Sequence, residues 1–152
     1  LGELPGEATN NNLSIKSSYS NTYDIDNLWK AFDKTAIVEL VAQGKTVFVD
    51  ITADWCLTCQ VNKRLVLDSK SILQVLKGKN VIAMQADWTR PNPNISTYIS
   101  EYGRYGIPFN AIYGPGSPNG IVLSELLSKN EVLDALSRAS KTPKISKKRL
   151  TQ

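Results

Sequence analysis

Cys56 and Cys59 are the residues of this chain best suited to carry out chemistry. They lie in the segment ADWCLTCQ, residues 53–60, and are the only two cysteines among 152 residues. The chain also has no histidine, the side chain that most often acts as a base near neutral pH. Two cysteines separated by two residues can form a structural disulfide, half of a metal site or a reactive dithiol.

A structural disulfide or a metal site explains the pair poorly. With 152 residues, 41% of them apolar, the chain is large enough to form one domain with a hydrophobic core and does not need a disulfide to fold. A bridge between Cys56 and Cys59 would close too short a loop to constrain the unfolded chain much. A structural zinc site needs four ligands, and with no histidine and no further cysteine only carboxylates could complete it. We therefore predict no bound metal.

The position of the pair between a predicted strand and a predicted helix favours a reactive dithiol. The run TVFVDIT, 46–52, predicts a buried strand, and residues 57–67 are compatible with a helix beginning at the cysteines. At the start of that helix, unpaired backbone N–H groups and the positive end of the helix dipole favour the thiolate form of Cys56. We therefore predict that Cys56 is the nucleophile. Cys59, one turn further, would resolve the mixed disulfide and restore the Cys56–Cys59 bridge. This redox-active disulfide is expected to need no other cofactor.

Three further residues each have two interpretations. Asp50 interrupts the buried strand, either as a solvated or hydrogen-bonded carboxylate or as a buried group with a raised pKa that accepts a proton from Cys59. Pro108 is an edge-strand proline, or it follows a cis bond that leaves the backbone of Ile107 free to pair with an extended substrate. Trp55 covers the reactive sulfur or packs in the core.

The hydrophobic pattern predicts the elements that must position these residues. Helices are expected over 24–43, 57–67 with 69–77, 95–106 and 129–140, and strands over 46–52, 81–88, 107–114 and 120–126. Helices and strands alternate early, and the last two strands form a hairpin. This order indicates a mixed central β-sheet with helices on both faces. The predicted fold class is α/β, a three-layer sandwich.

The two ends of the chain differ in composition from the predicted domain, residues 24–140. Residues 1–23 are rich in Gly, Asn, Ser and Thr and predict a flexible arm or linker. Residues 141–152 form a basic tail with five Lys/Arg and no acid, interpreted as solvated, so we predict no nucleic-acid partner. Because the chain starts at Leu1, we expect a processed protein or a piece of a longer one.

The segment VFVDITADWCLTCQ, followed by YGIPF at 105–109, resembles the thioredoxin superfamily over roughly residues 24–140. Within it, TADWCLTCQVN, ADWTRPNP and GRYGIPFNAIYGP resemble the C-terminal periplasmic domain of DsbD-type transmembrane thiol:disulfide interchange proteins. The resemblance implies a thioredoxin-like fold. It also implies that Cys56 is the nucleophile, Cys59 the resolving thiol, Asp50 the buried carboxylate and Pro108 a cis-proline.

The same resemblance implies a thiol:disulfide reductase that relays electrons. Its donor would be the cysteine pair of a membrane-embedded domain, and its acceptor a periplasmic thiol/disulfide protein domain. We expect a monomeric domain on the periplasmic side of the bacterial inner membrane, with Trp55, Ile107 and Pro108 contacting the substrate. This family often has a Lys directly after the second cysteine and an acid three residues later, whereas this chain has Gln60 and Lys63 at those positions. Two alternatives stay open: a secreted thioredoxin-like oxidase or isomerase, and a non-catalytic thioredoxin-fold binding module.

Overall fold

A five-stranded mixed sheet forms the middle layer of the protein, whose computed structural model describes residues 27–143. The predicted arm, 1–23, and all but the first three residues of the predicted tail lie outside the described residues. The strands are β1 (Trp29–Ala31), β2 (Thr46–Thr52), β3 (Val81–Asp87), β4 (Phe109–Gly114) and β5 (Ser117–Val122). Their order in the sheet is β1-β3-β2-β4-β5. The first three are parallel, and β4 is antiparallel to β2 and β5.

Helices cover both faces of this sheet, which confirms the predicted three-layer α/β sandwich. They are α1 (Lys34–Ala42), α2 (Leu57–Asn62), α3 (Lys70–Leu76), α4 (Pro93–Ser100) and α5 (Lys129–Ser140), and a π-helical turn at Lys63–Leu67 continues α2. The π-helical turn, α3 and α5 pack on one face, and α1 and α4 pack on the other. None of the helices between residues 27 and 143 has the length and apolarity needed to cross a bilayer.

Strand β2 is the centre of the molecule because its side chains enter both cores. Phe48 packs with the π-helical turn, α3 and α5, whereas Val47, Val49 and Ile51 pack with α1 and α4. Successive side chains of a strand point to opposite faces, so Asp50 lies on the Phe48 face of the sheet. This alternation directs the carboxylate toward the helix layer that contains α2.

The prediction of a first helix over 24–43 was wrong in its N-terminal part, because residues 29–31 form β1. Asp33 begins α1 as its N-cap, with its carboxylate accepting from the N–H groups of Thr35 at 3.0 Å and Ala36 at 3.3 Å. Trp29 pairs instead with Ala83 of β3. A parallel edge strand of three residues is too short to show a period of two, so its apolar residues matched a helical spacing.

Two other predicted boundaries also move. The continuous helical period expected over 57–77 is interrupted, because α2 passes into the π-helical turn and α3 begins only at Lys70. The second hairpin strand, expected over 120–126, runs from Ser117 to Val122 and takes in part of the predicted turn. Gly114 lies so close to α5 that a Cβ there would come within 2.2 Å of the Ala139 carbonyl oxygen, which explains the glycine at this end of the hairpin.

Candidate active site

The cysteine pair lies between the end of β2 and the first turn of α2. A disulfide joins Cys56 to Cys59, and each residue is 5% exposed. Cys56 is the N-cap residue of α2, with extended backbone angles, and its sulfur accepts from the backbone N–H of Cys59 at 3.2 Å. The first turn of the helix therefore directs a hydrogen-bond donor at the first sulfur.

Asp50 is buried on the same side of the sheet as α2. Its two oxygens accept from the amide of Gln85, at 2.9 Å, and from the amide of Asn110, at 2.7 Å. Burial raises the pKa of the Asp50 carboxyl, and the two hydrogen bonds and the positive charge of Lys63 partly offset that rise. The carboxyl is thus buried, with one amide donor on each oxygen, and the interpretation as a solvated group does not hold.

Gln60 and Lys63, the residues that depart from the family pattern, both have partners. The side-chain amide of Gln60 donates to the carbonyl oxygen of Ala53 at 3.4 Å. Lys63 follows Cys59 by one helical turn, and its ammonium forms an ion pair with Asp68 at 2.8 Å. Its charge also lowers the pKa of the buried carboxyl described above. A cation therefore lies where the family often has an acid.

Pro108 immediately precedes β4, and the Ile107–Pro108 peptide bond is cis. Because β4 lies between β2 and β5, the interpretation as an edge-strand proline is wrong. Ile107 is half-buried and packs against the cluster formed by Ala53 and the two cysteines. The fold therefore brings the segment before β4 against the cysteine pair, although the two are far apart in the sequence.

Trp55 is 59% exposed, so it is a surface residue and does not pack in the core. Its indole N–H donates to the carbonyl oxygen of Thr89 at 3.2 Å, and the hydroxyl oxygen of Thr89 accepts from the N–H of Asp54 at 2.9 Å. Thr89 is anchored in turn by donating from its N–H and its hydroxyl to Asp87. The end of β3 thus holds the loop that precedes Cys56.

Two residues with structural importance for the site were missed by sequence reasoning. Thr89 is one of them, although an Asp followed two residues later by a Thr is a common hydrogen-bonding turn signal. Asn62 is buried, and its side chain binds the carbonyl oxygen of Glu125 at 2.7 Å and the N–H of Leu127 at 3.0 Å. It ties α2 to the segment before α5, and no local pattern indicates that partner.

Large apolar side chains are exposed on the segments around the cysteine pair. Leu57 is 82% exposed and Val61, one turn further along α2, is 43% exposed. Tyr105, two residues before the cis peptide bond, is 81% exposed, and Leu126, between the two contacts of Asn62, is 65% exposed. Exposed apolar side chains on the segments that flank a reactive centre are candidates for contact with another protein. We call Trp55, Leu57, Val61, Tyr105 and Leu126 the apolar rim.

The family described as Thioredoxin-like matches residues 29–115, more than half of the chain. The chain belongs to this thioredoxin-like family. Its fold and its Cys56–Cys59 pair define it as a thiol:disulfide oxidoreductase.

Curated relatives include the thiol:disulfide interchange protein DsbD of several bacteria. The protein of Yersinia pestis (strain Pestoides F) is 26% identical over 106 residues, which cover 70% of this chain and 17% of that protein. The protein of Vibrio cholerae is 31% identical over 75 residues, which cover 49% of this chain and 12% of that protein. The chain therefore spans less than a fifth of the length of these relatives.

Solved structures of the same fold include a DsbD domain and a thioredoxin. The C-terminal domain of Neisseria meningitidis DsbD in the reduced form matches with a TM-score of 0.54 and 21% identity, covering 70% of this chain and 92% of that chain. A thioredoxin from Thermus thermophilus matches with a TM-score of 0.54 and 18% identity, covering 72% of this chain and 85% of that chain. The predicted thioredoxin-like fold and the resemblance to DsbD are confirmed.

Proposed function

We propose that this chain is an electron-donating thiol:disulfide reductase that works as the C-terminal domain of a DsbD-type protein. The observation that carries the proposal is the Cys56–Cys59 disulfide at the start of α2, together with the buried carboxyl of Asp50 on the strand that leads to it. The similarity to DsbD over 70% of the chain supports the particular assignment within the oxidoreductases.

Cys56 is the nucleophile in this proposal. When the disulfide is reduced, the N–H of Cys59 that now lies 3.2 Å from the Cys56 sulfur would stabilise a thiolate at that position. The thiolate attacks a disulfide of the acceptor, one acceptor sulfur leaves as a thiolate, and a mixed disulfide forms on Cys56.

Cys59 is the resolving thiol, and Asp50 is its base. Asp50 accepts the proton of Cys59, directly or through a water molecule, and the Cys59 thiolate attacks the Cys56 sulfur. The Cys56–Cys59 disulfide forms and the second acceptor sulfur leaves as a thiolate, so two electrons pass to the acceptor. With no histidine in the chain, a buried carboxyl with a raised pKa is suited to this exchange.

Substrate binding is assigned to Trp55, Ile107 and Pro108, together with the rest of the apolar rim. Ile107 packs against the cysteine cluster, and Trp55 is held in an exposed position by Thr89. Aromatic side chains such as Trp and Tyr are among the residues that contribute most to binding at protein interfaces. These residues would therefore hold an acceptor protein with its disulfide over Cys56.

The partners follow from the DsbD assignment. The donor would be the cysteine pair of a membrane-embedded domain, and the acceptor a thiol/disulfide domain on the periplasmic side of the inner membrane. The domain would be a monomer that meets each partner in turn. In support, the curated relatives are named interchange proteins, and the chain matches only a small part of each.

A pair of transfer assays tests the proposed direction. The reduced domain, freed of dithiothreitol, is mixed with insulin, and the oxidised domain is mixed with reduced, unfolded ribonuclease A. We expect rapid transfer of two electrons per domain to insulin and slow oxidation of the ribonuclease. Cys56→Ser is the control and should transfer none. Fast oxidation of ribonuclease would support the oxidase alternative, and no transfer in either assay would support the binding module.

A further inference from the structure

Two side-chain amides, one from each neighbouring strand, hydrogen bond to the buried carboxyl of Asp50. Asp50 lies opposite Gln85 of β3 in the parallel register and opposite Asn110 of β4 in the antiparallel register. We propose that Gln85 and Asn110 are positioning residues that form an amide clamp, holding Asp50 for proton exchange with Cys59 in both of its protonation states. This inference rests on the proposed role of Asp50 as the base.

The sheet geometry makes the clamp a fixed feature. Residues directly opposite each other on paired strands share a face, so all three side chains point to the same side of the sheet. That side is the one on which Phe48 and Ile112 pack against the π-helical turn, α3 and α5. Asn110 is 2% exposed, and its amide nitrogen also lies 3.4 Å from the carbonyl oxygen of Val49. Bulk water cannot replace it.

Amides suit a carboxyl that must gain and lose a proton. An amide has N–H donors for a carboxylate and a carbonyl oxygen that can accept from a carboxylic acid, and a half-turn of the amide exchanges the two. An ammonium or guanidinium has donors only, so such a partner would hold the carboxyl in its ionised form. Because the amide nitrogen of Asn110 also lies near the Val49 carbonyl oxygen, Gln85 is the partner that makes this half-turn, and it would accept from the carboxylic acid while Asn110 continues to donate.

The charges that face Asp50 determine the direction of the effect. Gln85 approaches from β3 and Asn110 from β4, both neutral, and Lys63 of the π-helical turn acts on the carboxyl from the helix layer. Burial raises the pKa of Asp50, and the amides and Lys63 lower it. Loss of one amide donor therefore keeps Asp50 protonated to a higher pH, and a protonated Asp50 cannot take the proton of Cys59.

The test follows the resolving step alone. The reduced domain is mixed with one equivalent of 5,5′-dithiobis(2-nitrobenzoic acid), which leaves a thionitrobenzoate on Cys56 in a mixed disulfide. The attack of Cys59 then releases that thionitrobenzoate, and its rate is followed by stopped flow across the pH range. We expect Asn110→Leu and Gln85→Leu each to raise the pH midpoint of this rate by about one unit.

A matched control separates the clamp from the loss of any buried amide. Asn62→Leu also removes a buried, hydrogen-bonded amide, but Asn62 binds Glu125 and Leu127. It should lower stability without moving the midpoint. The proposal is overturned if Asn110→Leu and Gln85→Leu leave the midpoint unchanged, or if Asn62→Leu moves it equally. If Asn110→Leu does not fold, the midpoint of Gln85→Leu alone tests the proposal, because Gln85 is only half-buried and its replacement disturbs the core less.

Asp50→Asn distinguishes the failure of the clamp from the failure of the mechanism. We expect it to abolish the midpoint that Asp50 sets, so that only the rise from ionisation of the Cys59 thiol itself remains, and Asn110→Leu should cause no further change in that background. An unchanged midpoint in Asp50→Asn would overturn the role of Asp50, and the clamp with it. If Asp50→Asn loses the midpoint but neither Asn110→Leu nor Gln85→Leu shifts it, the clamp alone is overturned and the role of Asp50 stands. Shifted midpoints in a domain that does not reduce insulin would leave the clamp standing and contradict the reductase function.

Discussion

The backbone N–H of Cys59 points at the sulfur of Cys56, with 3.2 Å between the nitrogen and Sγ. In the proposed mechanism this donor and the start of α2 would stabilise a thiolate on Cys56, and among residues 27–143 no hydrogen-bond donor contacts the sulfur of Cys59. In the reduced domain we expect iodoacetamide at pH 6 to modify Cys56 on the order of tenfold faster than Cys59. Mass spectrometry of peptides quenched at early times measures the two rates. Equal rates would contradict the assignment of the nucleophile.

Asp50 should make the folded protein less stable as the pH rises. Burial raises the pKa of this carboxyl in the folded state, so the folded protein binds more protons than the unfolded chain between the two pKa values. The contribution of Asp50 to stability is therefore complete below the unfolded pKa and is lost as the pH rises through the folded one.

Asp50→Asn removes this loss because it has no charge to bury. Relative to the wild type, the free energy of unfolding of Asp50→Asn should therefore increase between pH 4 and pH 8. Urea unfolding of both proteins at the two pH values gives the difference. A difference that does not change with pH would mean that the folded state leaves the pKa of Asp50 at its ordinary value.

Thr89 should stabilise the loop before Cys56 and keep Trp55 in place. Thr89→Val keeps the shape but loses the hydroxyl that accepts from Asp54 and donates to Asp87. We expect a loss of about 1 to 2 kcal/mol in the free energy of unfolding and a severalfold slower reduction of insulin. Thr97→Val, at an exposed position of α4, is the control and should change neither. If Thr89→Val has the stability and the insulin-reduction rate of the wild type, the loop before Cys56 holds its shape without the Thr89 hydroxyl.

The apolar rim should matter for protein substrates and not for small ones. Leu57→Glu places a charge at a position that is 82% exposed, so stability should stay within about 0.5 kcal/mol. Reduction of insulin should slow several-fold, whereas the reaction with 5,5′-dithiobis(2-nitrobenzoic acid) should change little. The control is Val38→Glu, at a position 71% exposed on α1 and across the sheet from α2. Equal slowing by both variants would argue against a binding role of the rim.

The cysteine pair and its flanking elements could be predicted because their signal is local. The strand 46–52, the two cysteines and the following helix occupy one continuous segment, and each has a recognisable pattern. The cis peptide bond at Pro108 stayed one of two interpretations, because a proline before a strand has more than one explanation.

Other features depend on strand register, which a single sequence does not reveal. Gln85 and Asn110 bind Asp50 from positions 35 and 60 residues further along the chain, and only the pairing of β2 with β3 and β4 brings them there. Strand β1 was missed for a related reason, since three edge residues form a strand through their pairing with β3 rather than through their own pattern.

The reduction potential of the Cys56–Cys59 pair tests the central claim, that this domain donates electrons, most directly. The domain is equilibrated in dithiothreitol and glutathione buffers of known potential, and its free thiols are trapped and counted. We predict a value near or below that of thioredoxin, about −270 mV. A value near that of the strong oxidant DsbA, about −120 mV, would contradict the reductase function and identify an oxidase or isomerase.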